Sequence, residues 1–331
     1  MLKTYNWGIL GKGYIARKMA EALPFVPQSK LLAIASRNES TAKEFAKQYH
    51  VEKAYSSYEE LAQDTNIDIV YIATPHNLHC ENTLMCLDNG KHVLCEKPFA
   101  VNGSEVRLMI EKAKNKKLFL MEALWSRFLP HIIKAKEIID SGQLGKIKLF
   151  TADFGINVPF DPNHRIFNKE LIGGSLLDLG IYNIFLATYL FGKPKTIIAK
   201  AGIGSTGVDN NCSVTFGFED EKLAVMYSSS VAKTDVVANI YGEKGTLCFD
   251  PWWFCPVNLK IKINEIEKPI TFNFKGNGYN YEAEEVINCL EKGMVQSNIF
   301  SWEDSLQLID MLDTIRKEIN LSYPKHDNKT K

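Results

Sequence analysis

Tyr5-Asn-Trp-Gly-Ile-Leu10-Gly11-Lys-Gly13-Tyr-Ile-Ala16 opens the chain's regular structure. Tyr5–Leu10 is a short apolar run of the kind that forms a strand, and a helical pattern, Ile15–Leu23, begins directly after the two glycines. Between them lies G-x-G-x-x-A. Alone it is a weak signal that any glycine-rich turn can satisfy; the strand before it, the helix after it and a second strand roughly 20 residues on give it weight. In that setting Gly11 permits the tight turn and Gly13 lets a pyrophosphate approach the backbone. Ala16 keeps helix and sheet close. The amides of the helix start, at Tyr14 and Ile15, and the helix dipole favour the anion.

Outward from this stretch the same alternation continues. Leu31–Ser36, Ile67–Ala73, His92–Cys95 and Leu118–Glu122 read as strands; Ser40–Tyr49, His79–Asn89 and Ser104–Asn115 read as helices, with Gly90 and Asn115 at the expected C-caps. Strand and helix in strict alternation require a parallel sheet covered on both faces, because parallel neighbours need crossover helices. From Lys146 the texture changes. Lys146–Phe154, Ile197–Gly202, Cys212–Phe218, Leu223–Ser229, Val236–Tyr241 and Leu259–Ile263 read as antiparallel strands, with hairpin connectors at Phe218–Lys222 and Tyr241–Gly245. Helices are expected at Ser175–Leu190, Tyr281–Lys292 and Trp302–Asn320, the last burying Leu306, Ile309, Leu312 and Ile315. The fold class is therefore α/β: a Rossmann doubly wound parallel sheet over 1–122, then an α+β domain with a large, open, mainly antiparallel sheet over 123–331. The last helix is free to pack back on the first domain.

The 331 residues suffice for two domains, and 45% apolar with 24% charged residues is ordinary globular composition. Lys plus Arg equals Asp plus Glu at 39 each. That balance argues against a nucleic-acid partner. Seven scattered cysteines, with neither a C-x-x-C pair nor a His cluster at metal spacing, suggest a reducing cytoplasm and no metal. The apolar run Ile181–Phe191 is too short to span a bilayer, and the start of the chain does not read as a signal peptide. A soluble, cytoplasmic protein is expected.

At the end of the second strand an NAD-selective fold places Asp or Glu; this chain has Ser36 and Arg37 there. Arg37 can clamp a 2′-phosphate, which favours NADP(H) over NAD(H), or it is simply a solvated loop arginine. Two more segments follow parallel strands: Ala73-Thr74-Pro75-His-Asn77-Leu-His79 and Glu96-Lys97-Pro98. With the glycine loop they resemble the glucose–fructose oxidoreductase / inositol dehydrogenase / rhizopine catabolism (Gfo/Idh/MocA) family. Gly173-Gly-Ser-Leu-Leu-Asp178-Leu-Gly180-Ile-Tyr182 fits as well. Met121-Glu-Ala-Leu-Trp125-Ser-Arg127-Phe-Leu-Pro130 looks most like the dimeric dihydrodiol dehydrogenases within it. The resemblance implies NAD(P)-dependent oxidoreduction of a sugar, polyol or diol, a cis Lys97–Pro98 peptide, and a homodimer through the C-terminal sheet.

Lys97 stands past the carboxyl end of a parallel strand, where ligands of open α/β sheets bind. An ammonium there stabilises alkoxide character on a substrate hydroxyl. Glu96 either orients Lys97, contacts the nicotinamide ribose or forms a structural ion pair. Asp178 and Tyr182, four apart in a helix, share one face. Many family members have His where this chain has Tyr182. A free phenol titrates near 10, and a neighbouring ammonium lowers that value. Tyr182 then passes the proton, or is simply an aromatic packed under the sheet, while Asp178 positions groups or binds a second hydroxyl. Trp125 and Arg127 reach cofactor or substrate in the family. Arg165 is a candidate for a polar substrate group or a surface residue. Thr74, Pro75, Asn77 and His79 are expected around the cofactor, whereas Cys95 carries no sign of a nucleophilic thiol. The competing readings are a catalytically silent dinucleotide sensor and an NAD-dependent sugar dehydrogenase.

Overall fold

The computed structural model describes residues 3–328. Its contacts divide the chain into two compact units, the first comprising 1–128 with 275–309 and the second 129–274 with 310–331. In the first unit, β1 (Tyr5–Leu10) leads through Gly11–Gly13 into α1 (Tyr14–Ala22). There follow β2 (Ser29–Ala35), α2 (Glu39–Tyr49), β3 (Lys53–Tyr55), α3 (Tyr58–Gln63), β4 (Ile69–Ile72), α4 (His79–Asp88), β5 (His92–Glu96), α5 (Gly103–Lys116) and β6 (Leu120–Ala123). All six strands run parallel in the order β3-β2-β1-β4-β5-β6, so the winding reverses between β1 and β4. Trp7, Ile9, Leu10 and the whole of Ile69–Ile72 are buried, as strands covered on both faces must be. The short β3 and α3 carried too little pattern to be read from sequence. The C-cap of α5 is Lys117, held left-handed at φ 55° with its amide on Ala113 O, and Asn115 stays helical.

The second unit begins with α6 (Pro130–Asp140) and β7 (Ile147–Gly155). A π-helical turn at Leu176–Gly180 runs into α7 (Ile181–Phe191). Strands β8 (Thr196–Ile203), β9 (Asp209–Gly217), β10 (Leu223–Ser229), β11 (Ala238–Gly242), β12 (Gly245–Phe249), β13 (Leu259–Ile263) and β14 (Ile266–Ile270) complete a sheet ordered β14-β13-β12-β11-β7-β10-β9-β8. Both expected hairpins form, β9–β10 and β11–β12. One pair departs from the antiparallel expectation: β10 lies parallel to β7, because a long excursion containing α7 separates them. Alternation along β10 sorts the faces. Ala224 and Met226 are buried beneath α7, while Leu223, Val225 and Tyr227 point outward. Lys169–Phe191 contains an apolar window longer than Ile181–Phe191, and 89% of it is buried inside the protein as a core helix.

The chain then supplies α8 (Tyr279–Glu291), α9 (Trp302–Glu318) and α10 (Pro324–Asp327). The segment 275–309 belongs to the first unit, which differs from a division at 122/123. Its anchors explain the difference: α8 packs on α1, Tyr5 donates to Glu291, and Trp302 Nε1 donates to Leu120 O at 2.8 Å. Within α9, Ile309, Leu312 and Ile315 are buried as expected; Leu306 is half-exposed, and Ser305 and Leu308 take the inward positions.

Candidate active site

The first unit gathers its candidate residues where the carboxyl ends of β1, β2, β4, β5 and β6 lie. Gly11 adopts φ +101°, and a Cβ there would stand 2.4 Å from Ala73 O, so β1 and the β4 loop meet in a way only glycine permits. Gly13 differs: its φ is −66° and a Cβ would meet nothing within 4 Å. The space beside it is open, at the start of a helix without a side-chain cap or an acid in its first turn. Tyr14 is exposed, Ile15 half-buried and Ala16 fully buried. Asn77 Oδ1, on the loop after β4, is buried with no hydrogen bond. An open cradle at amides that carry no counter-charge, with a buried acceptor awaiting a donor, fits a dinucleotide. Gly13→Ala should therefore leave the melting temperature within about 1 °C of wild type while weakening cofactor binding; thermal melts with a cofactor titration check this.

At the β2 tip, Ser36 is buried, its hydroxyl on Thr41 Oγ1 at 2.9 Å, and Arg37 is exposed beside the Tyr58 phenol. Thr74 is buried and accepts from Asn82, and Pro75 is half-buried. His79 does not present a ring nitrogen to a ligand. Nδ1 lies 2.8 Å from Pro98 O and Nε2 3.0 Å from Thr74 O, so the imidazole ties the β4 loop to the turn after β5. Burial lowers its pKa.

That turn carries the unit's candidate catalytic residue, Lys97. Glu96 ends β5, Lys97 follows it, and the Lys97–Pro98 peptide is cis. Both side chains are buried; Glu96 accepts from Tyr71 Oη and, at 3.1 Å, from the Lys97 amide. Burial pushes the Cys95 thiol well up, in keeping with an inert sulfur. After β6, Trp125 stacks on Tyr279 at 4.3 Å and 9°, and Arg127 is half-buried. Tyr279, at the start of α8, joins the cluster from a segment that the sequence pattern assigned to the other domain.

The second unit holds Arg165, Asp178 and Tyr182. The expected continuous helix Ser175–Leu190 is interrupted, because Leu176–Gly180 form a π turn before α7 begins. Such turns insert one residue and recur at functional sites. Asp178 sits on it, buried, and accepts from Arg165 Nη1 at 2.9 Å. The Arg165 side chain remains 56% exposed, which leaves it able to meet a ligand. Tyr182 is buried against Phe154 and Phe254, with ring centroids 5.8 and 4.9 Å away.

The π turn is held from below by a residue the sequence did not single out. Asp209, fully buried, accepts from Ser175 Oγ at 2.9 Å and Leu176 N at 2.7 Å, and burial pushes its carboxyl up to about 6. Tyr323 Oη donates to Gly173 O at 2.6 Å, and Asn183 Nδ2 to Tyr227 O at 2.9 Å. Glu122, the last residue of the strand read as Leu118–Glu122, is 3% exposed and was not singled out either.

A model of the oxidoreductase family with an NAD-binding Rossmann fold matches residues 5–124, and that of the GFO/IDH/MocA C-terminal domain matches residues 132–248. The chain is 36% identical over 330 residues to trans-1,2-dihydrobenzene-1,2-diol dehydrogenase of Xenopus tropicalis, covering 96% of this chain and 99% of that one. A 3-ketoreductase from Actinomadura kijaniata, solved with NADP and TDP-benzene, superposes with a TM-score of 0.87 at 23% identity, covering 96% of this chain and 98% of that one. Levoglucosan dehydrogenase with NADH and levoglucosan gives 0.86 at 22%, with the same coverages.

Proposed function

Because the chain belongs to the Gfo/Idh/MocA family of NAD(P)-dependent oxidoreductases, we propose that it moves hydride between NADP(H) and a diol, sugar or polyol, with Lys97 and Tyr182 handling the proton. The observation that carries this reading is Lys97, buried directly beyond β5 on the sheet edge that also bears the Gly11–Gly13 cradle. When bound, the nicotinamide supplies or takes up the hydride. Gly13 and the amides at the start of α1 hold the pyrophosphate, and Asn77 offers its buried oxygen to a donor. Lys97 donates to the reacting oxygen and stabilises negative charge on it. Tyr182 gives the proton during reduction and accepts it during oxidation. Asp178 fixes Arg165, whose exposed guanidinium takes a further polar group of the substrate. The relatives' diol and sugar chemistry supports the substrate class. The decisive experiment is a screen of diols, pentoses, hexoses and dicarbonyls with NADPH/NADP and NADH/NAD, followed at the reduced-nicotinamide absorbance. No turnover with any of them rejects the reading.

Arg37 is the basis for preferring NADP. Exposed at the β2 tip, it is free of the acid that would accept from a ribose 2′-hydroxyl. A charge-assisted contact to the 2′-phosphate is worth about 1.5–3 kcal/mol. Arg37→Asp should weaken NADPH at least tenfold and spare NADH in a fluorescence titration; equal loss of both removes the assignment.

A homodimer through the eight-stranded sheet completes the proposal. On its outer face Tyr241, Leu149 and Leu223 lie opposite one another across β11, β7 and β10, and Val225 shares the next row with Thr215 and Ile198. Ile198 is 66% exposed and Tyr227 47%. A contiguous apolar face of this kind marks an association surface. Light scattering at micromolar concentration should give twice the chain mass; a monomer refutes it. The seven free cysteines are consistent with the reducing cytoplasm as its compartment.

A further inference from the structure

We propose that Glu122 is a positioning residue for Lys97: its carboxylate pins the turn that carries the lysine. This rests on the reading of Lys97 as the group that meets the reacting oxygen.

The turn cannot hold itself. Strand β5 ends at Glu96, and Pro98 has no N–H to give. Three side chains take over the backbone groups between Lys97 and Phe99. Glu96 accepts from the Lys97 amide at 3.1 Å, His79 Nδ1 lies 2.8 Å from Pro98 O, and Glu122 Oε1 accepts from the Phe99 amide at 3.0 Å. Glu96 and His79 stand in the motifs that drew attention to this region. Glu122 comes from the neighbouring strand, where it pairs in register with Cys95, and it is 3% exposed. A buried carboxylate is costly unless its charge is matched. Here the Lys97 ammonium is close enough to favour the ionised form.

The surroundings place this carboxyl in the neutral range. Burial and the charge of Glu96 raise it, the Ser305 hydroxyl on α9, the Phe99 amide and Lys97 lower it, and it is pushed up to about 7. Lys97 is also felt by His79 on α4, whose other charged neighbour is Glu105 on α5. Glu96 is faced by Tyr71 on β4 and by Glu282 on α8, a fully buried acid that desolvation keeps protonated. Glu122 is therefore poised to change charge near neutral pH. Its protonation weakens the charge-assisted hydrogen bond that it accepts from the Phe99 amide.

Glu122→Gln is nearly isosteric and keeps an oxygen for the Phe99 amide while removing the charge. Two readouts are needed. The first is the pH dependence of Lys97 acetylation by acetic anhydride, read by peptide mass spectrometry, which requires no turnover. Wild type should show a step in that profile near 7, where Glu122 changes charge, and Glu122→Gln should lack it. The second is turnover against pH. Wild type should lose activity through a limb near 7, whereas Glu122→Gln should lack that limb and run about tenfold slower, with the KM for NADPH within twofold. Should Glu122→Gln fail to fold, Ser305→Ala takes its place. Removing the hydroxyl that helps keep Glu122 ionised should shift the limb upward. A labelling profile and a turnover profile that keep the step near 7 in the folded variant overturn the proposal. If wild type turns over no substrate in the screen, the functional reading fails, and the labelling result still judges Glu122.

Discussion

Lys97→Met and Tyr182→Phe should each lower turnover about 100-fold or more, the range for loss of a positioned acid or base. The double variant should cost little beyond either single one, because groups acting on one proton transfer are strongly non-additive. Cofactor affinity should persist in all three, since the Gly11–Gly13 turn lies on a different loop. Folding should survive as well. Tyr182 keeps its ring contacts with Phe154 and Phe254 when only the hydroxyl is lost. The wild-type oxidation pH profile should lose one limb in Tyr182→Phe. Full activity with the same limb in Tyr182→Phe would falsify the assignment and pass the proton to another group.

Gly174→Ala should destabilise the protein by about 3 kcal/mol, from left-handed strain and a displaced hydrogen-bonded carboxylate together. Gly174 adopts φ +124°, and a Cβ there would fall 2.1 Å from Asp209 Oδ1. The carboxylate cannot yield cheaply, because its other oxygen holds Ser175 and the first amide of the π turn. Gly192→Ala is the matched control. It has φ +80° with nothing within 4 Å of a Cβ, so it should cost less, from backbone strain alone. Urea unfolding of the two variants separates them; equal losses would mean that the Asp209 contact contributes nothing. Turnover should fall with Gly174→Ala as well, since the π turn carries Asp178.

The two halves of the chain were unequally legible. In the first unit the parallel strands carried unbroken apolar runs, and each loop beyond them had its own marker: glycines at 11 and 13, proline at 75, Glu-Lys-Pro at 96–98. The helix ends and the short β3–α3 segment were less clear, because capping at Lys117 depends on one residue adopting a left-handed backbone against its preference. In the second unit alternation disclosed most strands and two hairpins. It could not disclose that β10 pairs parallel to β7, since the partner of a strand is not written in its own pattern.

The amino-acid sequence by itself determined whatever depends on neighbours a few residues away: strand and helix periods, the glycine turn, and the lysine past the end of β5. The tertiary structure alone decided which polar groups are buried and what they hold. Glu122 meets Phe99 across 23 residues of chain, Asp209 meets Ser175 across 34, and Tyr323 meets Gly173 across 150. The interruption of the Asp178 helix and the membership of 275–309 in the first unit have the same origin. Periodicity is a local property of the chain. The desolvation of a carboxylate is set by everything packed around it, and those atoms come from segments whose proximity exists only once the chain has folded.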